Sequence, residues 1–277
     1  MKKPIVALVY DFDGTLSPGN MQEFGFIQAI EKSPEKFWKM SDAIACDQDA
    51  SNVLSYMKLM FDEAKKKGIR LRKKDFQNFG RKVELFEGVA EWFKLTKKYG
   101  EEHGVIVEHY INSSGLAEII EGTSIASEFK KIFACSFLYD ENGEAIWPGI
   151  AVDFTAKTQF LFKINKGILS ARDNKLVNES QAEDKKRIPF PHMIYFGDGD
   201  TDVPCMKIVK MFGGHSIAVY NPASATKKAT ARKLLRQQRV NFMAPAVYTE
   251  ESRAYKLVCA IIDKIKADYE LQILSKK

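Results

Sequence analysis

Long hydrophobic runs are absent from this 277-residue sequence, and their absence excludes several classes of protein. No apolar stretch approaches the ~20 residues that a membrane-spanning helix needs. The short apolar run near the start contains Asp11 and Asp13 and lacks a small-residue cleavage site, so it does not resemble a signal peptide. The sequence therefore predicts a cytoplasmic protein that does not associate with membranes.

Cysteine and histidine are also scarce, with four residues of each type. The cysteines lack the C-x-x-C spacing of zinc sites, and we expect reduced, mostly buried thiols. These eight residues are Cys46, Cys135, Cys205, Cys259, His103, His109, His192 and His215. Because the histidines match no metal-ligand spacing, all four are predicted to be structural.

A strong charge of either sign is missing, since the formal net charge is only +6. The densest basic cluster has no acidic residue and no interleaved aromatic residue, so it is more typical of a solvated helix face than of a nucleic-acid surface. The cluster consists of Lys227, Lys228, Arg232, Lys233, Arg236 and Arg239. Nucleic acid is therefore not an expected partner, whereas small anionic substrates would be attracted.

Two short apolar segments lead directly into acidic residues. Residues 5–10 are uninterrupted apolar residues, typical of a strand buried on both faces, and they lead into Asp11, Asp13 and Gly14. Asp and Gly are also common in surface turns, which is the alternative interpretation of this segment alone. Residues 192–196 form a second such run, followed by Asp198 and Asp202. Two strands ending in carboxylates indicate one acidic pocket that holds a hard divalent cation.

Two weaker motifs lie between these segments. Residues 105–111 are strand-like and lead into Asn112, Ser113 and Ser114, where hydroxyl and amide groups are suited to phosphate, although such residues also cap helices. Lys157 opens a helical segment at residues 156–165. The order and spacing of all four motifs are more specific than any one of them.

Together these motifs resemble those of the haloacid dehalogenase (HAD) superfamily of phosphohydrolases, in its phosphoserine phosphatase-like branch. The first motif is complete as Asp11-Phe-Asp13-Gly-Thr15, and the fourth as Gly197-Asp198-Gly199-Asp200-Thr201-Asp202. The resemblance extends from Lys3 to about Asp268, with residues 17–83 as the variable insertion.

The resemblance and the alternation of strands with helices predict an α/β fold: a doubly wound parallel sheet in a Rossmann-like core, with a smaller helical cap domain. Residues 1–16 and 84–277 would form the core, and residues 17–83 a cap of the C1 class. The aromatic and methionine residues of the cap are expected to form its own small core, with one or two facing the site. Residues 132–139 and 145–147 should form a hairpin, and residues 170–188 an exposed, flexible loop.

The resemblance also implies a role for each motif residue. Asp11 would be the nucleophile and a Mg²⁺ ligand, and Asp13 the general acid and base, with its backbone carbonyl on the same ion. Asp198 would be a further ligand, and Asp202 would lie nearby or bind through a water. Ser113 and Lys157 would bind the phosphate of a small phosphorylated metabolite, which is hydrolysed through an aspartyl-phosphate intermediate.

Several alternatives remain at this point. Ser114 competes with Ser113 for the hydroxyl of the second motif, and Lys163 and Lys166 compete with Lys157. A phosphomutase would use the same site, and a regulatory protein could bind phosphate on this fold without turnover. The presence of both Asp11 and Asp13 fits a phosphatase or a phosphomutase and argues against a binding protein, a dehalogenase, a phosphonatase and an ion pump. The substrate and the oligomeric state do not follow from the sequence.

Overall fold

The computed structural model describes residues 3–275, and its centre is a seven-stranded sheet. The strands are β1 (Ile5–Tyr10), β2 (Ile106–Leu116), β3 (Lys131–Tyr139), β4 (Ala145–Ile150), β5 (Met193–Gly197), β6 (His215–Tyr220) and β7 (Phe242–Pro245). Their order across the sheet is β4-β3-β2-β1-β5-β6-β7. All neighbouring pairs are parallel except β3 and β4, which form the predicted antiparallel hairpin.

The helices fill the connections between these strands. They are α1 (Phe26–Ala29), α2 (Pro34–Gln48), α3 (Asn52–Lys66), α4 (Lys73–Gly80), α5 (Val89–Glu102), α6 (Ala117–Glu121), α7 (Ala156–Lys166), α8 (Asn174–Asn178), α9 (Val203–Met211), α10 (Ala225–Arg236) and α11 (Arg253–Leu274). Short 3-10 turns occupy Met21–Phe24, Ala126–Glu128, Glu183–Lys185, Phe190–His192 and Asp200–Asp202. Within residues 3–275, none of these helices has the length and apolar character needed to cross a bilayer. The predicted α/β class with a mostly parallel sheet is confirmed.

Strands β2 to β4 lie on one side of β1, and strands β5 to β7 lie on the other. The direction of the chain connections therefore reverses at the carboxyl end of β1. Such a switch point is the usual ligand site of open α/β sheets. The strand is fully buried from Val6 to Tyr10, which explains why its sequence is uninterrupted by polar residues. Asp11 continues the pairing, because its backbone N–H donates to the carbonyl of Phe196 at the end of β5 (2.9 Å). The two acidic segments therefore meet at one edge of the sheet.

The regular elements of residues 17–83 are all helices, and the segment otherwise forms two isolated bridges, Ser17 with Asp13 and Arg72 with Glu144. Helices α2 and α3 both begin with a serine side chain that accepts a hydrogen bond from the backbone three residues later. Phe26 and Phe37 are fully buried and meet edge to face, as expected for an internal core of this segment. Trp38 beside them is only half-buried, and it faces the cavity described below.

The segment at 170–188 departs in part from its prediction. Most of its side chains are exposed as expected, but it contains helix α8 and a 3-10 turn. Lys163 on α7 donates to the carbonyl oxygens of Ser170, Ala171 and Asp173 at 2.7–3.1 Å. The side chain of Lys163 is thus committed to this segment, a contact that no local pattern in the sequence indicates.

Candidate active site

The turn after β1 presents Asp11 and Asp13 at the carboxyl edge of the sheet. Asp11 is 5% exposed, and its Oδ1 accepts from the Phe12 backbone N–H (2.8 Å). Asp13 is half-buried, and its Oδ1 accepts from the Met21 backbone N–H (2.9 Å), which links it to the helical segment. Each carboxylate therefore has one oxygen held by the backbone. The hydrogen bonds among the described residues leave Oδ2 of both groups unoccupied.

The second acidic segment brings Asp198 and Asp202 to the same place. Ligand oxygens of Asp11, Asp198 and Asp202 all lie within 4.8 Å of one another. Asp202 is fully buried and has both oxygens engaged, since Tyr195 donates to Oδ1 (2.8 Å) and the Asp198 N–H donates to Oδ2 (3.1 Å). Asp198 has one oxygen, Oδ2, paired with Lys227 (2.7 Å). The free oxygens of the cluster thus belong to Asp11 and Asp198.

Lys157 is the cation at the centre of the cluster. Its side chain is completely buried, and Nζ lies 2.8 Å from Asp202 Oδ1 and 3.1 Å from Asp11 Oδ1. The competing lysines lie elsewhere: Lys163 and Lys166 both donate to backbone carbonyls of the segment after α7. Of the three candidates, geometry places only Lys157 with the acidic cluster.

Ser113 and Ser114 lie near the end of β2, which runs to Leu116, five residues beyond the predicted strand. The register against β3 shifts between Asn112 and Leu116, so the backbone is irregular where the serines stand. Ser113 Oγ accepts from the Gly115 N–H (3.0 Å), and its own hydrogen remains available for donation. Ser114 Oγ is buried without a partner among the described residues. Both serines line the cavity beside Asp11 and Asp13.

Two glycines make this close assembly possible. Gly14 has a φ of +73°, and a Cβ added there would lie 2.4 Å from Asp198 Oδ2. A Cβ at Gly115 would lie 2.0 Å from the end of Met21 and 3.2 Å from Asp13 Oδ2. A side chain at Gly14 would displace the Asp198 carboxylate, and one at Gly115 would displace the end of Met21.

Burial and neighbouring charges shift the pKa values of several residues at this site. Burial, followed by repulsion from Asp202, raises the pKa of Asp11 above its ordinary value, although Lys157 opposes the shift. Burial and then Asp11 raise the pKa of Asp13 well above its usual range. Burial and then Asp202 also raise the pKa of Asp198. Burial alone would lower the pKa of Lys157, but Asp11 and Asp202 raise it, so the ammonium stays charged.

These shifts bear on whether a divalent cation fits. Three carboxylates face two ammonium groups, Lys157 beside Asp11 and Asp202 and Lys227 beside Asp198, so one negative charge is left uncompensated within the cluster. The unpaired Oδ1 of Asp198 and the carboxylate of Asp11 are hard oxygen ligands of the kind that Mg²⁺ prefers. The donor set therefore fits this ion.

A cavity of about 560 Å³ opens beside the cluster. Five of the residues predicted for the site, Asp11, Asp13, Ser113, Ser114 and Asp198, line this cavity, and several neighbours were not predicted. The missed residues are Tyr195, Lys227, Gln22, Glu23, Trp38 and Tyr56. Lys227 belongs to the basic cluster that was interpreted as a solvated helix face, and its ion pair with Asp198 forms only when α10 packs against β6.

The cysteines and histidines contribute no further metal site among the described residues, whose one candidate metal group consists of aspartates. All four cysteines are free thiols, of which Cys135 and Cys205 are buried, Cys259 is partly buried and Cys46 is exposed. The expectation of mostly buried thiols is therefore wrong for Cys46.

Comparisons with known proteins agree with this geometry. Residues 8–207 match the haloacid dehalogenase-like hydrolase family. An uncharacterized protein of Borreliella burgdorferi is 29% identical over 291 residues, covering 93% of this chain and 96% of that protein. A solved HAD family hydrolase of Salmonella enterica has a TM-score of 0.57 at 15% identity, over 94% of this chain and 72% of its own. Substrate-bound phosphoserine phosphatase has a TM-score of 0.53 at 16% identity, over 85% of this chain and 99% of its own.

Proposed function

Because this chain belongs to the haloacid dehalogenase-like hydrolase family, we propose that it is a Mg²⁺-dependent phosphatase of small phosphorylated metabolites, acting through an aspartyl-phosphate on Asp11. The observation that carries the proposal is the buried cluster of Asp11, Asp198, Asp202 and Lys157 beside Asp13. The carboxylates suit a divalent cation, and this cation together with the buried ammonium suits a phosphoryl group, whose transfer depends on positioning and charge neutralisation.

Asp11 is the nucleophile in this mechanism. Its Oδ1 is held by the Phe12 N–H and by Lys157, while Oδ2 is free to attack phosphorus in line with the leaving oxygen. The P–O bond to the alcohol breaks as the bond to Oδ2 forms. Lys157 favours the anionic form of Asp11, which the repulsion within the cluster otherwise disfavours.

Mg²⁺ would be held by Asp11, the backbone carbonyl of Asp13 and Asp198, and when bound it supplies positive charge to the phosphoryl oxygens. Asp202 would lie nearby or bind through a water, since protein donors already engage both of its oxygens. The N–H and hydroxyl groups around Ser113 and Ser114, together with Lys157, would bind the remaining phosphoryl oxygens.

Asp13 is the general acid and base. Its raised pKa favours the protonated carboxyl that a general acid requires, and the Met21 N–H fixes Oδ1 so that Oδ2 faces the open side. Oδ2 donates its proton to the leaving alkoxide. The resulting carboxylate then takes a proton from the water that attacks the aspartyl-phosphate.

Residues 17–83 act as a cap over a core formed by residues 1–16 and 84–277. Trp38 on α2 and Tyr56 on α3 line the same cavity as Asp11 and Asp13, so these helices cover the site. A cavity of about 560 Å³ accommodates a small metabolite and excludes polymers such as nucleic acids. No membrane or nucleic-acid partner is needed, and we infer a cytoplasmic enzyme.

Phosphate release from an aryl phosphate, with Mg²⁺ or with a chelator, tests the proposal. We expect turnover that requires Mg²⁺ and is lost in Asp11→Asn and Asp13→Asn, while the exposed control Asp62→Asn retains it. An acid-stable, hydroxylamine-labile phosphoryl label should form on the wild type and be absent from Asp11→Asn. A folded, Mg²⁺-binding protein that hydrolyses neither this ester nor a panel of phosphorylated metabolites would contradict a phosphatase.

A further inference from the structure

Glu23 lines the cavity together with Asp13, the proposed acid for the leaving alcohol. It follows Met21, whose N–H holds Asp13. Burial raises the pKa of Asp13 most, and the charges of Asp11, Asp198 and Glu23 raise it further. The carboxylate of Glu23 is therefore within electrostatic reach of the group that protonates the leaving oxygen.

The carboxylate of Glu23 is held in place by neutral donors only. Its Oε1 accepts from Trp38 Nε1 and from Asn20 Nδ2, both at 2.7 Å. Its Oε2 makes no hydrogen bond or ion pair with any described residue. A half-buried carboxylate with a fixed position and no cationic partner is suited to a cationic ligand.

Two aromatic rings stand beside this carboxylate. The rings of Trp38 and Tyr56 both line the cavity, with centroids 6.0 Å apart and planes inclined by 71°. The Tyr56 hydroxyl donates to the Ser114 carbonyl (2.7 Å), which fixes its ring relative to the phosphate end. Aromatic faces at an angle bind alkylammonium groups through their π electrons, and a neighbouring carboxylate strengthens the attraction.

The charges of the cavity lining favour the same ligand. Among the described lining residues Lys227 is the only base, and it is paired with Asp198 at the metal end. The other acidic residues away from that end are Glu23 and Asp42. Gln22, 1% exposed, adds a buried Oε1 that has no partner among the described residues. A substrate carboxylate or second phosphate would meet like charge on this side.

We propose that the alcohol part of the substrate carries an alkylammonium group, which Glu23, Trp38 and Tyr56 bind while its phosphate reaches Asp11. This specificity rests on the phosphatase activity proposed above. The substrate class is thus the phosphate monoester of a short cationic alcohol, without a carboxylate.

A pair of isosteric esters tests this charge preference directly. Phosphocholine and 3,3-dimethylbutyl phosphate have nearly the same shape, and only the first is cationic. The wild type should show a kcat/KM for phosphocholine that is higher by about tenfold or more. O-phosphoserine, which adds a carboxylate to the ammonium, should be hydrolysed less efficiently than phosphoethanolamine.

Variants assign the preference to the proposed residues. In Glu23→Gln the ratio of the two kcat/KM values should fall by about tenfold, and in Trp38→Leu by about threefold or more. Glu35→Gln removes the same charge from an exposed position on α2 outside the cavity, and it should keep the wild-type ratio. Inhibition of aryl phosphate hydrolysis by tetramethylammonium provides a second measurement on the wild type, which does not depend on a variant that folds.

The outcomes separate this inference from the function on which it rests. Hydrolysis of the aryl ester with equal kcat/KM for the two isosteres, or with no inhibition by tetramethylammonium, would overturn the cationic substrate and leave the phosphatase intact. Failure to hydrolyse any ester, aryl phosphate included, would overturn both.

Discussion

Lys157 and Asp202 form a fully buried ion pair, with Nζ 2.8 Å from Oδ1 and neither side chain exposed to solvent. The same ammonium lies 3.1 Å from Asp11 Oδ1, so one cation bridges the ends of β1 and β5. Removal of one partner from a buried pair leaves an uncompensated charge, which costs more than the pair itself contributes. Lys157 therefore affects both the stability of this edge of the sheet and the charge of Asp11, the proposed nucleophile.

Substitution of Lys157 by Met should damage both properties. We expect a loss of about 3 kcal/mol in the free energy of unfolding, because Asp202 and Asp11 remain buried without their cation. Phosphate release should fall by about 100-fold or more, because the ammonium no longer favours the anionic form of Asp11. Urea denaturation and phosphate release from an aryl ester measure the two effects.

Lys163→Met on the same helix is the matched control. Lys163 donates only to the segment after α7, so its loss should loosen that segment while phosphate release remains close to the wild-type rate. Inactive Lys163→Met together with active Lys157→Met would show that the wrong lysine has been assigned to the site.

Gly14 should be intolerant of any side chain for two separable reasons. Its φ of +73° is strained for an alanine, and the new Cβ would lie 2.4 Å from Asp198 Oδ2. Gly143→Ala has the first defect alone, since its φ is +74° and nothing lies within 4 Å of the added Cβ. We expect a loss in unfolding free energy of about 1 kcal/mol in Gly143→Ala and clearly more in Gly14→Ala.

The Mg²⁺ requirement is a second measurement, and it tests the acidic cluster of Asp11, Asp198 and Asp202 directly. Gly14→Ala should raise the Mg²⁺ concentration needed for half-maximal activity, because displaced Asp198 would bind the ion less well, whereas Gly143→Ala should not change it. Equal losses of stability and equal Mg²⁺ requirements in the two variants would contradict the close approach of Asp198 to the turn after β1.

The two serines can be separated by removing one hydroxyl at a time. Ser113 Oγ is oriented by the Gly115 N–H and retains a hydrogen to donate, so Ser113→Ala should lower kcat/KM by about 10–100-fold. Ser114→Ala should have a smaller effect, because the contacts that Ser114 makes with Tyr56 and Cys135 use its backbone carbonyl. The reverse order of the two kcat/KM values would assign the phosphate-binding hydroxyl to Ser114.

The central part of the site was predictable because its signals are local. A fully buried parallel strand has to be apolar throughout. The apolar runs before Asp11 and before Asp198 therefore predict the two strands directly. Parallel strands present their carboxyl ends at one edge, which brings the two acidic segments together without further information. The sequence favoured Lys157 over Lys163 and Lys166 because Lys157 opens the helix, and the structure places Lys157 beside Asp11 and Asp202.

The remaining residues of the site come from tertiary contacts that no short pattern encodes. Lys227 reaches Asp198 only across the packing of α10 on the sheet. Glu23, in the 3-10 turn Met21–Phe24, and Trp38, on α2, are joined by a hydrogen bond between residues 15 positions apart. Helix α8 was missed because five mostly exposed residues carry no periodic apolar pattern.

His109 makes a pH-dependent contribution to stability that is independent of the active site. Burial, and then the charge of Lys97, lower the pKa of His109 from 6.5 to about 3. Its ring stays neutral in the folded protein, where Nδ1 lies 3.1 Å from the Tyr10 hydroxyl and Nε2 lies 3.4 Å from the Thr96 hydroxyl. The unfolded chain binds a proton below pH 6.5 that the folded chain does not, so His109 lowers stability as the pH falls from 6.5 towards 3.

His109→Gln should therefore reduce the loss of unfolding free energy that occurs as the pH falls below 7. Between pH 7 and pH 5 the wild type loses about 2 kcal/mol through this one group, and the variant should lack that loss although it is less stable at pH 7. Urea denaturation at both pH values measures the difference. Parallel curves for His109→Gln and the wild type would mean that His109 is protonated in the folded protein, against the neutral ring that its burial favours.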